Sequence, residues 1–233
     1  MILKPYATDS QIFFFLICEP VAKIKTLRKI SFIGLLFLFV FSNRILCQDN
    51  YYFKVHFLYG SKPKKEFQKS ESRWFGGIWG GHVGIEVDSN TVIDFVPEGK
   101  FHWIAKNKNP HCKFAVHTIK DFYEIFGGTS KAVKKATVVI PITKQQKQKL
   151  DSITLVYTTK PPYDYAFIGM RCGSAAYDIL AQLGILKQYS YGKTYRRIFY
   201  PRRLRKRLLK KAKENNWTVT KQNGTERREW EED

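Results

Sequence analysis

The chain predicts an α+β fold, an antiparallel sheet with a few helices packed against it. Three observations carry that expectation. Short runs rich in aromatic and β-branched residues recur through the first half and are punctuated by Gly, Pro, Asp and Asn. Fewer segments show helical spacing, as in Ala176, Ile179, Leu180 and Leu183. The hydrophobic content of 44% and aromatic content of 15% suit a packed core, and no internal repeat or low-complexity tract interrupts it. At 233 residues there is room for one such domain plus a tail or anchor.

The first fifty residues read as an address rather than as part of the sheet. Lys23, Lys25, Arg28 and Lys29 precede an apolar run from Ile30 to Phe41, which is followed by Ser42, Asn43 and Arg44 and then by Cys47. A run of twelve residues suits a signal peptide and falls short of the about 20 that span a bilayer. The expectation is export, with residues 1–47 as a signal peptide cleaved near Cys47 or retained as an N-terminal membrane anchor; a lipidated Cys47 is a further alternative. The expected location is accordingly periplasmic or membrane-associated.

The body of the chain, 48–200, should begin with a strand over Tyr51–Tyr59, closed by Gly60. A charged loop from Lys62 to Arg73 and a glycine-rich stretch from Trp74 to Gly81 follow. His82–Asp88 alternates polar and apolar residues as a half-buried strand does, Asp88-Ser89-Asn90 turns the chain, and Thr91–Val96 returns until Pro97. Short strands are expected at His102–Ile104 and Phe114–Thr118. A helix from Asp121 to Phe126 should stop at Gly127-Gly128, before a strand over Ala136–Ile142. Thr143 reads as the N-cap of a helix to Tyr157, with Leu150, Ile153, Thr154 and Tyr157 on one face. A helix from Cys172 to Leu183 is closed by Gly184. The remaining segment, 201–233, predicts a basic helix after Pro201 with Leu204, Leu208 and Leu209 as its apolar side, then a hairpin around Asn223-Gly224.

Charge narrows the partners. Forty Lys+Arg against twenty Asp+Glu give +20, and residues 1–47 hold six basic and two acidic residues, so +16 belongs to the rest. Arg202, Arg203, Arg205, Lys206, Arg207, Lys210, Lys211 and Lys213 crowd into twelve positions. Such a field favours anionic surfaces, either phospholipid or lipopolysaccharide headgroups or nucleic acid, and an export signal argues against nucleic acid. A solvated helix that only aids solubility is the plainer reading.

Two segments carry the candidate chemistry. In His82-Val83-Gly84-Ile85-Glu86-Val87 the odd positions are apolar, so His82 points from the other face. Asp94 lies between Val92 and Val96, where a carboxylate needs a partner. A three-residue loop of Asp88, Ser89 and Asn90 pairs Val87 with Thr91 and hence Gly84 with Asp94, making His82 and Asp94 diagonal neighbours on one face; a two-residue loop would separate them. Cys172 follows Arg171 and opens a helix, and both a cation and a helix N-terminus favour a thiolate. The backbone N–H groups there are candidate oxyanion donors. Two alternatives stand beside this reading: Cys172 as a small apolar member of the stripe with Ala176 and Ile179, and a Cys112–Cys172 disulfide, since Cys18 and Cys47 fall in the address.

The motifs Gly81-His82-Val83-Gly84-Ile85-Glu86, Val92-Ile93-Asp94-Phe95-Val96-Pro97, Val138–Ile142 with its Gln-rich helix, Pro162-Tyr163-Asp164 and Gly169-Met170-Arg171-Cys172-Gly173-Ser174 resemble the circularly permuted branch of the NlpC-type, papain-like cysteine hydrolases, bacterial envelope members and relatives of lecithin retinol acyltransferase among them. The likeness covers about residues 51–186. It implies Cys172 as nucleophile, His82 as general base and Asp94 as the orienting group, with the histidine strand ahead of the nucleophile helix, an order that chemistry tolerates if the groups meet in space. The lipid acyltransferase branch usually carries a second histidine at Asp94 and Asn-Cys-Glu-His around the nucleophile, so Arg171-Cys172-Gly173-Ser174 weakens the inference of a lipid substrate. Tyr163 and Asp164 match a Tyr-Asp pair of the envelope members and are candidates, with Trp79, for lining a substrate cleft; Trp74 and Trp103 are candidates too, a core role being the competing reading. His111, Cys112 and His117 lack zinc-site spacing, and His56 and His102 read as satisfying local hydrogen bonds.

The expected function is therefore an exported thiol hydrolase or acyltransferase that needs no cofactor or metal and acts on an amide or ester of an envelope peptide, glycopeptide or lipid. The alternative is an inactive envelope-associated module whose basic segment binds anionic membrane or glycan.

Overall fold

Alternation along strand β1 (Tyr51–Leu58) sets the architecture. Phe53, Val55 and Phe57 enter one large apolar core, while Leu58 belongs to a second, smaller core across the sheet. The computed structural model describes residues 51–71, 80–99, 102–105 and 111–233; the address segment, Trp74 and Trp79 lie outside them. No helix among the described residues is long and apolar enough to cross a membrane.

Strands β3 (His82–Glu86), β4 (Thr91–Pro97), β6 (Cys112–Thr118), β7 (Lys135–Ile142) and β9 (Val219–Gln222) join β1 in a six-stranded sheet ordered β6-β4-β3-β1-β7-β9. Every neighbouring pair in it is antiparallel. Short β2 (Ser61–Pro63) pairs with β10 (Arg228–Trp230), and β5 (His102–Ile104) runs parallel to β8 (Ala166–Ile168).

Helices cover both faces. The larger core is closed by Leu150 of α2 (Lys144–Thr159), Ile179 of α3 (Cys172–Gln182) and Leu204 of α5 (Pro201–Glu214). Each such side chain, fully removed from water, contributes about 1.5–3 kcal/mol. Thr143 caps α2 as its sequence predicts: its hydroxyl accepts the Gln146 N–H at 3.2 Å, and Gln146 returns the contact to the Thr143 N–H at 2.9 Å. On the opposite face, α1 (Ile119–Glu124) lays Phe122 and Tyr123 against Leu58, Val92 and Val133. The architecture is thus the expected α+β, with an antiparallel sheet and five helices.

Three short elements lack a readable period in the sequence: β8, α4 (Tyr191–Arg197) and β2, which enters the stretch expected as a loop from Lys62. The hairpin expected at Asn223-Gly224 does not form. β9 completes the free edge of β7 instead, and β10 is drawn away to β2, where Arg228 donates to Ser61 Oγ at 2.9 Å and to Glu71 at 3.0 Å. Residues 201–233 are accordingly built into the body of the fold. Arg205, one of the basic run, is fully buried: it stacks 3.7 Å from the Tyr59 ring centroid and donates to Glu231 at 2.9 Å and Asp233 at 2.8 Å.

Candidate active site

The β3–β4 turn fixes the first two groups. Asp88 Oδ1 accepts the N–H of Asn90 at 3.1 Å and of Thr91 at 2.8 Å, holding a three-residue loop closed by the Val87 N–H on the Thr91 carbonyl at 2.9 Å. Ile85 then opposes Ile93 and Glu86 opposes Val92, a register that carries Gly84 to Asp94. His82 and Asp94 consequently share a face, and His82 Nε2 hydrogen-bonds Asp94 Oδ2. Phe122 and Phe126 hold the imidazole from 5.8 and 5.6 Å. Glycine at 84 is what admits Phe122, because a Cβ there would fall 2.6 Å from its ring and 2.5 Å from Val92.

The second oxygen of Asp94 lies 3.1 Å from His117 Nε2, so this buried carboxylate is held between two imidazoles. Burial pushes the Asp94 carboxyl up, but His82 and His117 together hold it below its ordinary value. The contact with Asp94 in turn raises His117.

Cys172 is the first residue of α3. The Ser174 hydroxyl accepts the Arg171 N–H at 2.8 Å and fixes that first turn. Gly173 allows close packing beneath it, since a Cβ there would sit 3.1 Å from the backbone nitrogen of Pro201. Cys172 lies close enough to His82 for its charge to act on the ring, and with Nε2 committed to Asp94 the nitrogen left for sulfur is Nδ1. Burial of that ring opposes its charge, yet negative charge at Cys172 and Asp94 outweighs it and lifts His82 to about 10. An imidazole raised this far, beside a buried carboxylate and a thiol, carries its proton at neutral pH.

Tyr165 completes the cluster. Burial, with Cys172 and Asp94 close by, raises the Tyr165 phenol well above its ordinary value, so it stays protonated at neutral pH. A protonated phenol thus stands near the start of α3, whose first backbone N–H is that of the cysteine itself. Arg171 turns to Phe199 instead, with its guanidinium 3.4 Å from that ring's centroid and hydrogen-bonded to its carbonyl oxygen.

Several expectations are corrected here. Cys112 and Cys172 are not joined in a disulfide, and Cys112 donates to the Tyr163 carbonyl at 3.2 Å, which removes the disulfide alternative. Tyr163 is buried against Phe95 and Tyr157, at 5.3 and 6.0 Å, and forms core rather than cleft. Asp164 is buried as well, with Oδ2 2.6 Å from His102 Nδ1, which leaves no exposed carboxylate for a substrate. Trp103 is 71% exposed, against the core reading for it. Trp79 lies outside the described residues.

Sequence reasoning missed His117 and Tyr165. His117 becomes visible only once β6 is set beside β4, with His117 opposite Val92, two positions along from the Asp94–Ala115 pair. Tyr165 sat in plain view in Tyr163-Asp164-Tyr165, but which of the three meets Cys172 depends on the bridge between Tyr165 and Met170. Comparisons with protein-family models, curated proteins and solved structures find no match to this chain.

Proposed function

We propose that the protein is a thiol hydrolase or acyltransferase with the permuted papain-like order of histidine strand before nucleophile helix, exported or membrane-associated, and acting on an amide or ester of an envelope peptide, glycopeptide or lipid. The supporting observation is the line of groups from the Cys172 sulfur through the His82 ring to Asp94, all buried.

In the proposed reaction His82 Nδ1 takes the Cys172 proton and the sulfur attacks the acyl carbon. The C–S bond forms as the carbonyl electron pair moves to oxygen, where the Tyr165 O–H and the Cys172 N–H stabilise it. Collapse of the tetrahedral species expels the amine or alcohol, which leaves with the proton from His82. Water, or a second acceptor, then attacks the thioester while His82 takes its proton, and the carboxylic acid or transferred acyl group departs as Cys172 is restored. Asp94 keeps the ring in one tautomer throughout and stabilises its charged form.

An electrophilic thiol probe at neutral pH tests this directly. Cys172 should label rapidly in the native chain and slowly after His82→Ala, and a small aryl ester should leave an acyl group on Cys172 detectable by mass. Slow labelling that ignores His82, with no acyl adduct, favours the inactive module over the enzyme.

A further inference from the structure

The region flanking the start of α3 pairs exposed apolar surface with an excess of positive charge. Trp103 and Ile104 of β5 are 71% and 64% exposed, and Ile168, on the parallel partner strand β8, is 49% exposed. Trp103 leads on through ring contacts of 5.2 Å each to Phe167 and then to Phe199. Large apolar side chains grouped on a surface in this way mark an interaction site.

Cations continue the patch. Phe199 and Tyr200 join α4 to α5, and the exposed Arg203 reaches back to the Arg196 and Arg197 carbonyls at 3.5 and 3.4 Å. Between Asp178 and Glu214 the chain holds twelve Lys and Arg and no acidic residue. Of these only Arg205 is buried; Lys193, Arg196, Arg197, Lys206 and Lys210 are all exposed. Exposed acid partners are correspondingly scarce along α5, where Lys210 meets Glu214 at 3.8 Å.

The geometry points to this combined aromatic and basic face as a docking surface for an anionic lipid bilayer. Indole and aliphatic groups of this kind settle at headgroup depth, and flanking Lys and Arg are attracted to anionic lipid. Nucleic acid would use the cations and could stack on Trp103, but exposed Ile104 and Ile168 answer to an apolar phase and not to bases. The apolar run Ile30–Phe41 elsewhere in the chain independently favours membrane as the occupant. Because Arg171, stacked among Phe167 and Phe199, directly precedes Cys172, docking would bring the thiol to the lipid surface. The inference concerns binding alone and holds whether or not Cys172 turns over.

The test is sedimentation of the full chain with vesicles of phosphatidylserine and phosphatidylcholine, against vesicles of phosphatidylcholine only. Native chain should partition to the anionic vesicles, and added salt should release it. Arg196→Glu with Arg203→Glu, and separately Lys206→Glu with Lys210→Glu, should each weaken partition by at least about tenfold. Trp103→Ser with Ile168→Ser should weaken it severalfold while Cys172 still labels at the native rate, which reports an intact fold. Partition that survives all three pairs overturns the proposal, since the apolar run near the N-terminus then accounts for it. Tight retention of a single-stranded oligonucleotide without vesicle binding also overturns it and assigns the cations to nucleic acid.

Discussion

Two buried polar clusters sit on the same face of β3, four positions apart, and they differ in how their hydrogen bonds end. Around Glu86, one carboxylate oxygen takes Lys54 at 2.7 Å and the other takes His56 Nε2 at 2.7 Å. The other nitrogen of His56 meets the Tyr123 hydroxyl and, at 3.1 Å, that of Thr137. Around Asp94 the same histidine–carboxylate pairing recurs, with His117 in place of Lys54, but the far side of His82 faces a thiol. Phe122 touches both imidazoles, at 6.1 and 5.8 Å, so the surroundings are nearly shared. A buried histidine–carboxylate pair is therefore a structural unit here, and the group beyond the ring decides whether it can do chemistry. Hydroxyls close the first cluster; a sulfur at a helix start leaves the second with a reactive end.

The contrast is easiest to break at the sulfur. Cys172→Ala should abolish acyl transfer entirely while moving stability by about 1 kcal/mol or less, because little apolar area is lost. His82→Ala should cost the reaction about 10²–10⁴-fold, the usual reach of a positioned acid–base group. By contrast His56→Leu, which leaves Glu86 and Tyr123 short of a buried partner, should cost about 1–3 kcal/mol in a denaturant titration and leave Cys172 labelling unchanged. If labelling falls with it, the two clusters act as one unit and the distinction drawn here is lost.

Acid and base should separate them too. Burial pushes Glu86 up but hydrogen bonds from His56 and Lys54 win, so its carboxyl is held below its ordinary value. Stability from Glu86 is present above the unfolded carboxyl pKa and is lost as pH falls through the lowered one. His82 has the opposite sign: raised from 6.5 to about 10, it contributes fully below pH 6.5 and loses that contribution as pH climbs to about 10. Denaturant midpoints should thus decline across that alkaline window in native chain and decline less in His82→Gln. Turnover should fail near the top of the same window while thiol labelling persists, since only the former needs an imidazolium to protonate the leaving group.

The smallest expected effect belongs to His117. It approaches Asp94 from the partly exposed side at 3.1 Å, so His117→Gln should slow turnover by about two- to tenfold, the value of one close polar contact of about 0.5–1.5 kcal/mol, with labelling of Cys172 still dependent on His82. A loss as large as that of His82→Ala would move His117 from a positioning role into the reaction itself.

Short-range features of this chain were decided locally and could be read without coordinates. Asp88-Ser89-Asn90 makes an odd-numbered loop because an Asp side chain can cap two following N–H groups, and strand parity then forces His82 and Asp94 to one face. Thr143 with Gln146, and the apolar spacing behind Cys172, define their helices in the same way. Tertiary structure alone decided the rest. Whether Asn223-Gly224 closes a hairpin depends on a competing edge at β7 and a buried seat for Arg228, and whether Tyr163 or Tyr165 reaches Cys172 depends on a bridge across the chain. The encounter of Cys172 with His82, ninety residues apart, belongs to the same class. Propensity and parity act over a few residues and are written in the local chain, whereas competition among edges and cavities is settled by what the whole fold leaves unpaired.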